Sequence, residues 1–281
     1  MEYGLIGGKL GHSYSKTIHE LLCGYSYELC PLPTEADARA FLQRRQFKAI
    51  NVTIPYKKLV MEYCSFIDPR ARAIGAVNTV VNKNGLLYGY TTDYLGFAHL
   101  CEAHGVELAG KTVLILGTGG THNTTRAVAL DKGAAKVLTV SRTPDPEKGE
   151  LSYAEAVRSG AQVVFNTTPA GMYPNVGVCS LDVAAMPGLE AVVDVVYNPN
   201  KTELILRACA TSISSPPTAT GTPASSARRI SSVLLGLYTT STTASSPGMA
   251  ATSRLHTPTL GYIPAGVVLN TTCAPLRTAS A

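Results

Sequence analysis

Lys57, at the end of Asn51-Val-Thr53-Ile-Pro-Tyr-Lys57, and Asp93, at the end of Thr91-Thr-Asp93, are the groups in this chain best suited to move a proton. Between them lies Gly75-Ala-Val-Asn78-Thr79. These phrases gather a lysine, an aspartate, two asparagines and several hydroxyls near expected strand ends and turns. That inventory suits holding a polyhydroxylated substrate while one of its hydroxyls gains or loses a proton. Further on, Gly117-Thr-Gly119-Gly120 reads as a nucleotide-binding turn. Proton handling beside a nucleotide points to hydride transfer.

The glycine turn has the right context, because it follows an apolar strand and precedes a helix. Gly117 permits the tight turn, Gly119 lets backbone approach a pyrophosphate, and Gly120 leads into a helix whose free N–H groups attract phosphate. It is not a strict G-x-G-x-x-G, since residues 121–124 are Thr-His-Asn-Thr, and alone it reads equally well as an ordinary turn. The next strand ends in Ser141-Arg142-Thr143, with no acid before Asp145 to bond a ribose 2′-hydroxyl. A guanidinium there suits a 2′-phosphate through paired charge-assisted bonds, which predicts NADP rather than NAD. A solvated surface arginine is the alternative.

The surrounding pattern supplies elements to position these groups. Tyr3–Gly7 reads as a strand, 15–23 as a helix capped by Ser15, 27–31 as a strand and 35–45 as a helix. Residues 49–54 read as a buried strand ended by Pro55. Residues 77–81 and 86–89 form an expected hairpin turning at Lys83-Asn-Gly85. A second unit follows, with strands at 111–117, 136–141, 162–167 and 191–197 and a helix at 121–132. Apolar strands separated by helices imply an α/β fold whose second unit is a doubly wound parallel sheet. The boundaries expected are 1–98 for a substrate-binding unit, 99–206 for a Rossmann-like nucleotide unit and 207–281 for an irregular tail.

Composition narrows the function classes. The net charge of +5 is not spread over the chain. Residues 1–203 carry 19 Lys and Arg against 19 Asp and Glu, and the excess is five arginines beyond them. A neutral patterned region argues against a nucleic-acid surface. No apolar run is long enough for a membrane span, the first residues lack a secretory signal, and a cytoplasmic location is expected. The seven cysteines are scattered without a C-x-x-C, so reduced thiols are expected and no metal site is indicated. Residues 204–281 contain no Asp, Glu or Lys, and about a third of them are Ser or Thr. Two readings stand: a low-complexity or disordered tail, or translation out of frame.

With these residues in view, the chain resembles the shikimate dehydrogenases, from Tyr3 to about Leu206. The resemblance implies a substrate domain and a Rossmann-like NADP domain flanking a cleft, and oxidation of the C3 hydroxyl of shikimate to 3-dehydroshikimate or its reverse. Gly11-His-Ser13-Tyr-Ser15 resembles the family's paired serines for the substrate carboxylate. The 51–57 phrase resembles the segment carrying a substrate-binding asparagine and threonine, here Asn51 and Thr53, and the catalytic lysine, here Lys57. The resemblance further implies substrate binding by Asn78 and Tyr197, and Asp93 as the partner of the lysine. Asn166-Thr167-Thr-Pro-Ala-Gly171-Met172 resembles the loop bordering the nicotinamide. It implies a role in aromatic amino-acid biosynthesis, and a homodimer is compatible with it. From local pattern alone, Ser13 and Ser15 also read as helix caps, Asn78 as a turn residue and Asp93 as a helix N-cap.

The chain departs from the family after Lys201-Thr-Glu203-Leu204, where no Gly-x-x-Met-Leu-x-x-Gln-like stretch follows. A catalytically impaired NADP-binding homologue therefore stands as an alternative, and quinate oxidation is another, since quinate differs mainly at the ring position beside the carboxylate.

Overall fold

A computed structural model of the chain describes residues 1–11, 13–213 and 229–232. The first unit is a six-stranded sheet built from β1 (Tyr3–Gly7), β2 (Glu28–Pro31), β3 (Ala49–Val52), β4 (Phe66–Ile67), β5 (Thr79–Lys83) and β6 (Leu86–Tyr90). The order is β2-β1-β3-β5-β6-β4. The first three strands are parallel, joined through α1 (Ser15–Cys23) and α2 (Glu35–Arg44). β5 then runs antiparallel to β3 and turns into β6. Asn84 and Gly85 both take positive φ, 53° and 84°, as a two-residue turn matched to strand twist requires. α2 begins with a capping box between Thr34 and Asp37.

The second unit is an all-parallel sheet of order β11-β10-β9-β7-β8. Its strands are β7 (Thr112–Leu116), β8 (Lys136–Val140), β9 (Val163–Asn166), β10 (Ala191–Asp194) and β11 (Arg229–Ser232). The winding order reverses between β7 and β9, because β8 is added on one side of β7 and β9 on the other, which places a ligand crevice above the turn after β7. α5 (Gly120–Asp131) leads from β7 to β8, and α6 (Tyr153–Val157) precedes β9. β7, β9 and β10 are apolar apart from their polar ends and, Thr112 excepted, buried along their whole length, as a covered parallel sheet demands.

Two helices join the units. α3 (Pro69–Ile74) and α4 (Asp93–Ala103) both pack on α5. Phe97 of α4 meets Phe165 of β9 edge to face with centroids 4.8 Å apart. Tyr94 Oη donates to Asp131 Oδ2 at 2.6 Å, and Asn123 Nδ2 donates to the Ile74 carbonyl at 3.1 Å. α4 thus runs through residue 98, where the sequence pattern suggests a boundary, because its apolar residues share one core with the second sheet.

Several expectations are corrected. Ser15 is the first residue of α1 rather than its cap, and the N-cap position is Tyr14. The strand expected over 49–54 stops at Val52, and Ile54 is exposed. The strand expected over 191–197 stops at Asp194, whose carboxylate needs donors off the strand. α3 and β4 are additions to the sequence pattern. Irregular structure is expected from 207 onward, but α7 (Glu203–Ile213) carries helix past that point and Arg229–Ser232 pairs with β10. The rest of the expected tail lies outside the described residues. Among the described residues, no helix is long and apolar enough to cross a membrane, and no group of His, Cys, Asp and Glu is arranged to hold a metal. Cys30, Cys64, Cys101 and Cys179 carry free thiols, whereas Cys209 is disulfide-bonded, against the expectation of reduced thiols throughout.

Candidate active site

β3 delivers Asn51 at its C-terminal end, and the chain then turns so that Lys57 faces the first residue of α4. Lys57 Nζ donates to Asp93 Oδ2 at 2.5 Å, with the two side chains 18% and 8% exposed. An ion pair that little exposed must have its other lone pairs met from within. Asn78 does so, donating from Nδ2 to Asp93 Oδ1 at 2.7 Å and to Thr92 Oγ1 at 2.9 Å. Its Oδ1 accepts from the Thr92 N–H at 2.9 Å and Thr79 Oγ1 at 3.0 Å. The network continues inward, because Asn51 Nδ2 donates to Thr79 Oγ1 at 3.2 Å and Asn51 Oδ1 accepts from Tyr27 Oη at 2.6 Å. Burial pushes the Tyr27 phenol well above its ordinary range, so it stays a donor. One hydrogen-bonded chain therefore runs from Tyr27 to the Lys57 ammonium.

The ion pair opens onto a cleft of about 130 Å³ between the units, lined by Thr53, Ile54, Lys57, Asp93, Thr121, Val195 and Tyr197. Four residues expected at a substrate site, Thr53, Lys57, Asp93 and Tyr197, are thereby brought together. Asn78 stands behind them as a support of the ion pair, and Asn51 joins the same network through Thr79. Ser13 Oγ donates to Ser15 Oγ at 3.0 Å, and the Ser15 N–H donates back to Ser13 Oγ at 3.2 Å. Neither serine lines the cleft, but Tyr14 between them packs at a tilt against Tyr197, with centroids 5.8 Å apart. Burial, then Tyr14, raises the Tyr197 phenol above its ordinary pKa.

On the other side of the cleft, Gly117 has φ +99°, and a Cβ there would lie 2.8 Å from Thr168 Cγ2. Only glycine lets the turn pass this close to the 166–172 loop. Nothing lies within 4 Å of a Cβ at Gly119 or Gly120, and α5 begins without a side-chain cap. Those are the open cradle and unsatisfied N–H groups that a pyrophosphate needs. Ser141 Oγ accepts from the Thr143 N–H at 3.3 Å, and Arg142 is exposed just past β8. Met172 is exposed, and a Cβ at Gly171 would lie 3.1 Å from the Val178 carbonyl. Thr167 Oγ1 donates to the Leu116 carbonyl at 2.6 Å, tying the loop to the end of β7.

Asn166 differs from the expectation. Its side chain is buried, Nδ2 donates to Asp194 Oδ1 at 2.9 Å, and Oδ1 accepts from Thr168 Oγ1 at 2.7 Å and the Thr168 N–H at 3.1 Å. With both amide atoms used inside the fold, it shapes the loop instead of facing the cleft. Sequence reasoning missed Tyr27, Thr79, Thr92, Thr121, Asp194 and Thr202. Thr121 follows the glycine turn directly and carried a usable signal, whereas a lone buried aspartate such as Asp194 gives none. Burial pushes its pKa up to about 6, against donors from Thr202, Val196 and Asn166.

Comparison with known proteins gives this geometry its lineage. The description "Shikimate dehydrogenase substrate binding domain" matches residues 5–80. The shikimate dehydrogenase (NADP(+)) of Clostridium beijerinckii is 35% identical over 217 residues, covering 72% of this chain and 80% of that protein. The chain belongs to the shikimate dehydrogenase family. Shikimate dehydrogenase 1 from Peptoclostridium difficile superposes with a TM-score of 0.68 at 31% identity, covering 75% of this chain and 83% of that one. The shikimate 5-dehydrogenase of Thermus thermophilus, solved in complex with NADP(H) and shikimate, gives a TM-score of 0.66 at 28% identity, over 75% of this chain and 84% of that one.

Proposed function

We propose that the chain interconverts shikimate and 3-dehydroshikimate with NADP in the cleft between its two sheets. The observation that carries this is the Lys57–Asp93 ion pair at 2.5 Å, facing an uncapped glycine-rich helix start across the same cleft. The activity of the Clostridium beijerinckii relative supports it. Residues 1–98 are assigned to substrate binding, which the family match over 5–80 supports, and 99–206 to the cofactor.

When bound, NADP supplies the hydride acceptor at the reacting carbon. Gly117, Gly119 and Gly120 would hold its pyrophosphate, and Arg142 with Ser141 and Thr143 its 2′-phosphate. Thr167, Gly171 and Met172 would border the nicotinamide half, on a loop shaped by Asn166. The chain's own part in the chemistry is to hold and move a proton. Lys57 and Asp93 act as a unit on the C3 hydroxyl, taking its proton as the C–H bond is lost and returning it in reduction. Asn78 keeps the Asp93 carboxylate aimed at the lysine instead of the solvent. Thr53 and Asn51 bind ring hydroxyls, while Tyr197, Ser13 and Ser15 bind the carboxylate from the rim.

NADPH absorbance during turnover tests this directly. The purified chain with shikimate and NADP should form NADPH, and Lys57→Ala should not. Faster turnover of quinate than of shikimate would move the substrate assignment, and no NADPH from a folded chain would overturn the activity.

A further inference from the structure

A buried carboxylate at the C-terminal end of the second sheet is left unused by the proton chemistry. Asp194 ends β10, opposite Asn166 at the end of β9. It is fully buried. Its Oδ1 accepts from Asn166 Nδ2 and from the Val196 N–H, both at 2.9 Å, and its Oδ2 accepts from Thr202 Oγ1 at 2.7 Å. Asn166 in turn holds Thr168. Thr202 closes on the far end of the same loop, since a Cβ at Gly171 would lie 3.4 Å from Thr202 Cβ. One carboxylate thus fixes the 166–171 loop at both ends. It also fixes the Val196 N–H, whose neighbours Val195 and Tyr197 line the cleft.

The sheet order gives these contacts a direction. A dinucleotide laid across the crevice between β7 and β9 has one half beside β8, where Arg142 stands. Its other half lies over β9 and β10, towards Lys57 and Asp93. We propose that Asp194 is a positioning residue for the nicotinamide half of the cofactor, bracketing the 166–171 loop and the 195–197 segment so that the reacting ring meets the Lys57–Asp93 pair. This rests on the dehydrogenase reading above. The role is geometric and does not need the negative charge. An asparagine keeps the same partners, with its oxygen accepting from Asn166 and Val196 and its amide donating to Thr202 Oγ1, the reverse of the wild-type Thr202 bond.

The test compares Asp194→Ala with Asp194→Asn in the full chain, alongside Thr202→Val and Thr202→Ser. Three readouts separate positioning from general damage: Kd for NADP, Kd for adenosine 2′,5′-bisphosphate, which fills only the adenosine half, and kcat with shikimate. Asp194→Ala should lower kcat on the order of 10²-fold, as misplacement of reacting groups does. It should weaken NADP binding while leaving the bisphosphate Kd within about twofold. Asp194→Asn should restore both. Thr202→Val should show the same pattern more weakly, with Thr202→Ser restoring it, and that pair carries the test if Asp194→Ala does not fold. Equal weakening of both ligands, or a folded Asp194→Ala or Thr202→Val with wild-type kcat and NADP affinity, would overturn the proposal. If the wild type binds NADP but does not oxidise shikimate, the dehydrogenase reading fails while the ratio of the two Kd values still decides the role of Asp194. A wild type that binds neither ligand overturns both.

Discussion

Lys57 and Asp93 lie 36 residues apart in sequence and meet at 2.5 Å, one delivered after β3 and the other opening α4. Asn78 stands on the far side of the carboxylate and donates to its second oxygen at 2.7 Å. The pair is therefore held from behind and open only towards the cleft.

Removing the lysine should separate chemistry from binding. Lys57→Ala should lower kcat by about 10²–10⁴-fold while KM for shikimate changes far less. Steady-state NADPH formation at varied shikimate reads both parameters, and a raised KM with kcat intact would make Lys57 a binding residue.

Gly117 predicts a change that is both structural and functional. Alanine there needs φ +99° and a Cβ 2.8 Å from Thr168 Cγ2. Gly117→Ala should cost about 1–3 kcal/mol of stability and weaken NADP binding. Thermal unfolding with and without NADP checks this, and an unchanged midpoint together with an unchanged shift on adding NADP would refute it.

Cofactor choice should depend on Arg142. A charge-assisted contact to the 2′-phosphate contributes about 1.5–3 kcal/mol, so Arg142→Ala should reduce the NADP-over-NAD ratio of kcat/KM about 10- to 100-fold. The loss should shrink at high salt because Arg142 is exposed. An unchanged ratio would leave the 2′-phosphate without its assigned partner.

Asp194 gives a pH signature with a definite sign. Its pKa rises on folding from 3.8 to about 6 because burial disfavours the charge. The folded state therefore holds a proton more tightly than the unfolded one. The stability this contributes is fully present below about pH 4 and is lost as pH rises through about 6, about 3 kcal/mol. Asp194→Asn cannot ionise. Relative to the wild type, its melting temperature should rise between pH 4.5 and pH 7.5, and a flat difference across that range would contradict the assignment.

Tyr27 tests the far end of the network. Tyr27→Phe removes the donor at 2.6 Å from Asn51 Oδ1 and frees that amide to turn. Stability should fall by about 1 kcal/mol, and KM for shikimate should rise more than kcat falls. Unchanged kinetics would show that Thr79 alone orients Asn51.

The order of elements was largely legible because each depends on nearby residues. Apolar runs gave β1, β7, β9 and β10, the Asn84-Gly85 turn gave the hairpin, and Gly117-Thr-Gly-Gly marked the crevice. The break in composition after residue 203 was equally plain, since no Asp, Glu or Lys follows Glu203. Short elements such as α3 and β4 escaped because six and two residues carry too little periodicity to register.

Partners across the fold were settled only in three dimensions. The sequence offers Asn51, Asn78 and Asn166 as equivalent amides near strand ends. Register and packing place the first two in one network that reaches the ion pair through Asn78 and bury the third against Asp194. It likewise ends β10 at an aspartate and runs α4 through the expected boundary at residue 98. A hydrogen bond's partner is chosen by which strand ends lie side by side, and that adjacency is set by packing over the whole core, whereas turn and strand preferences are set by a few neighbouring residues.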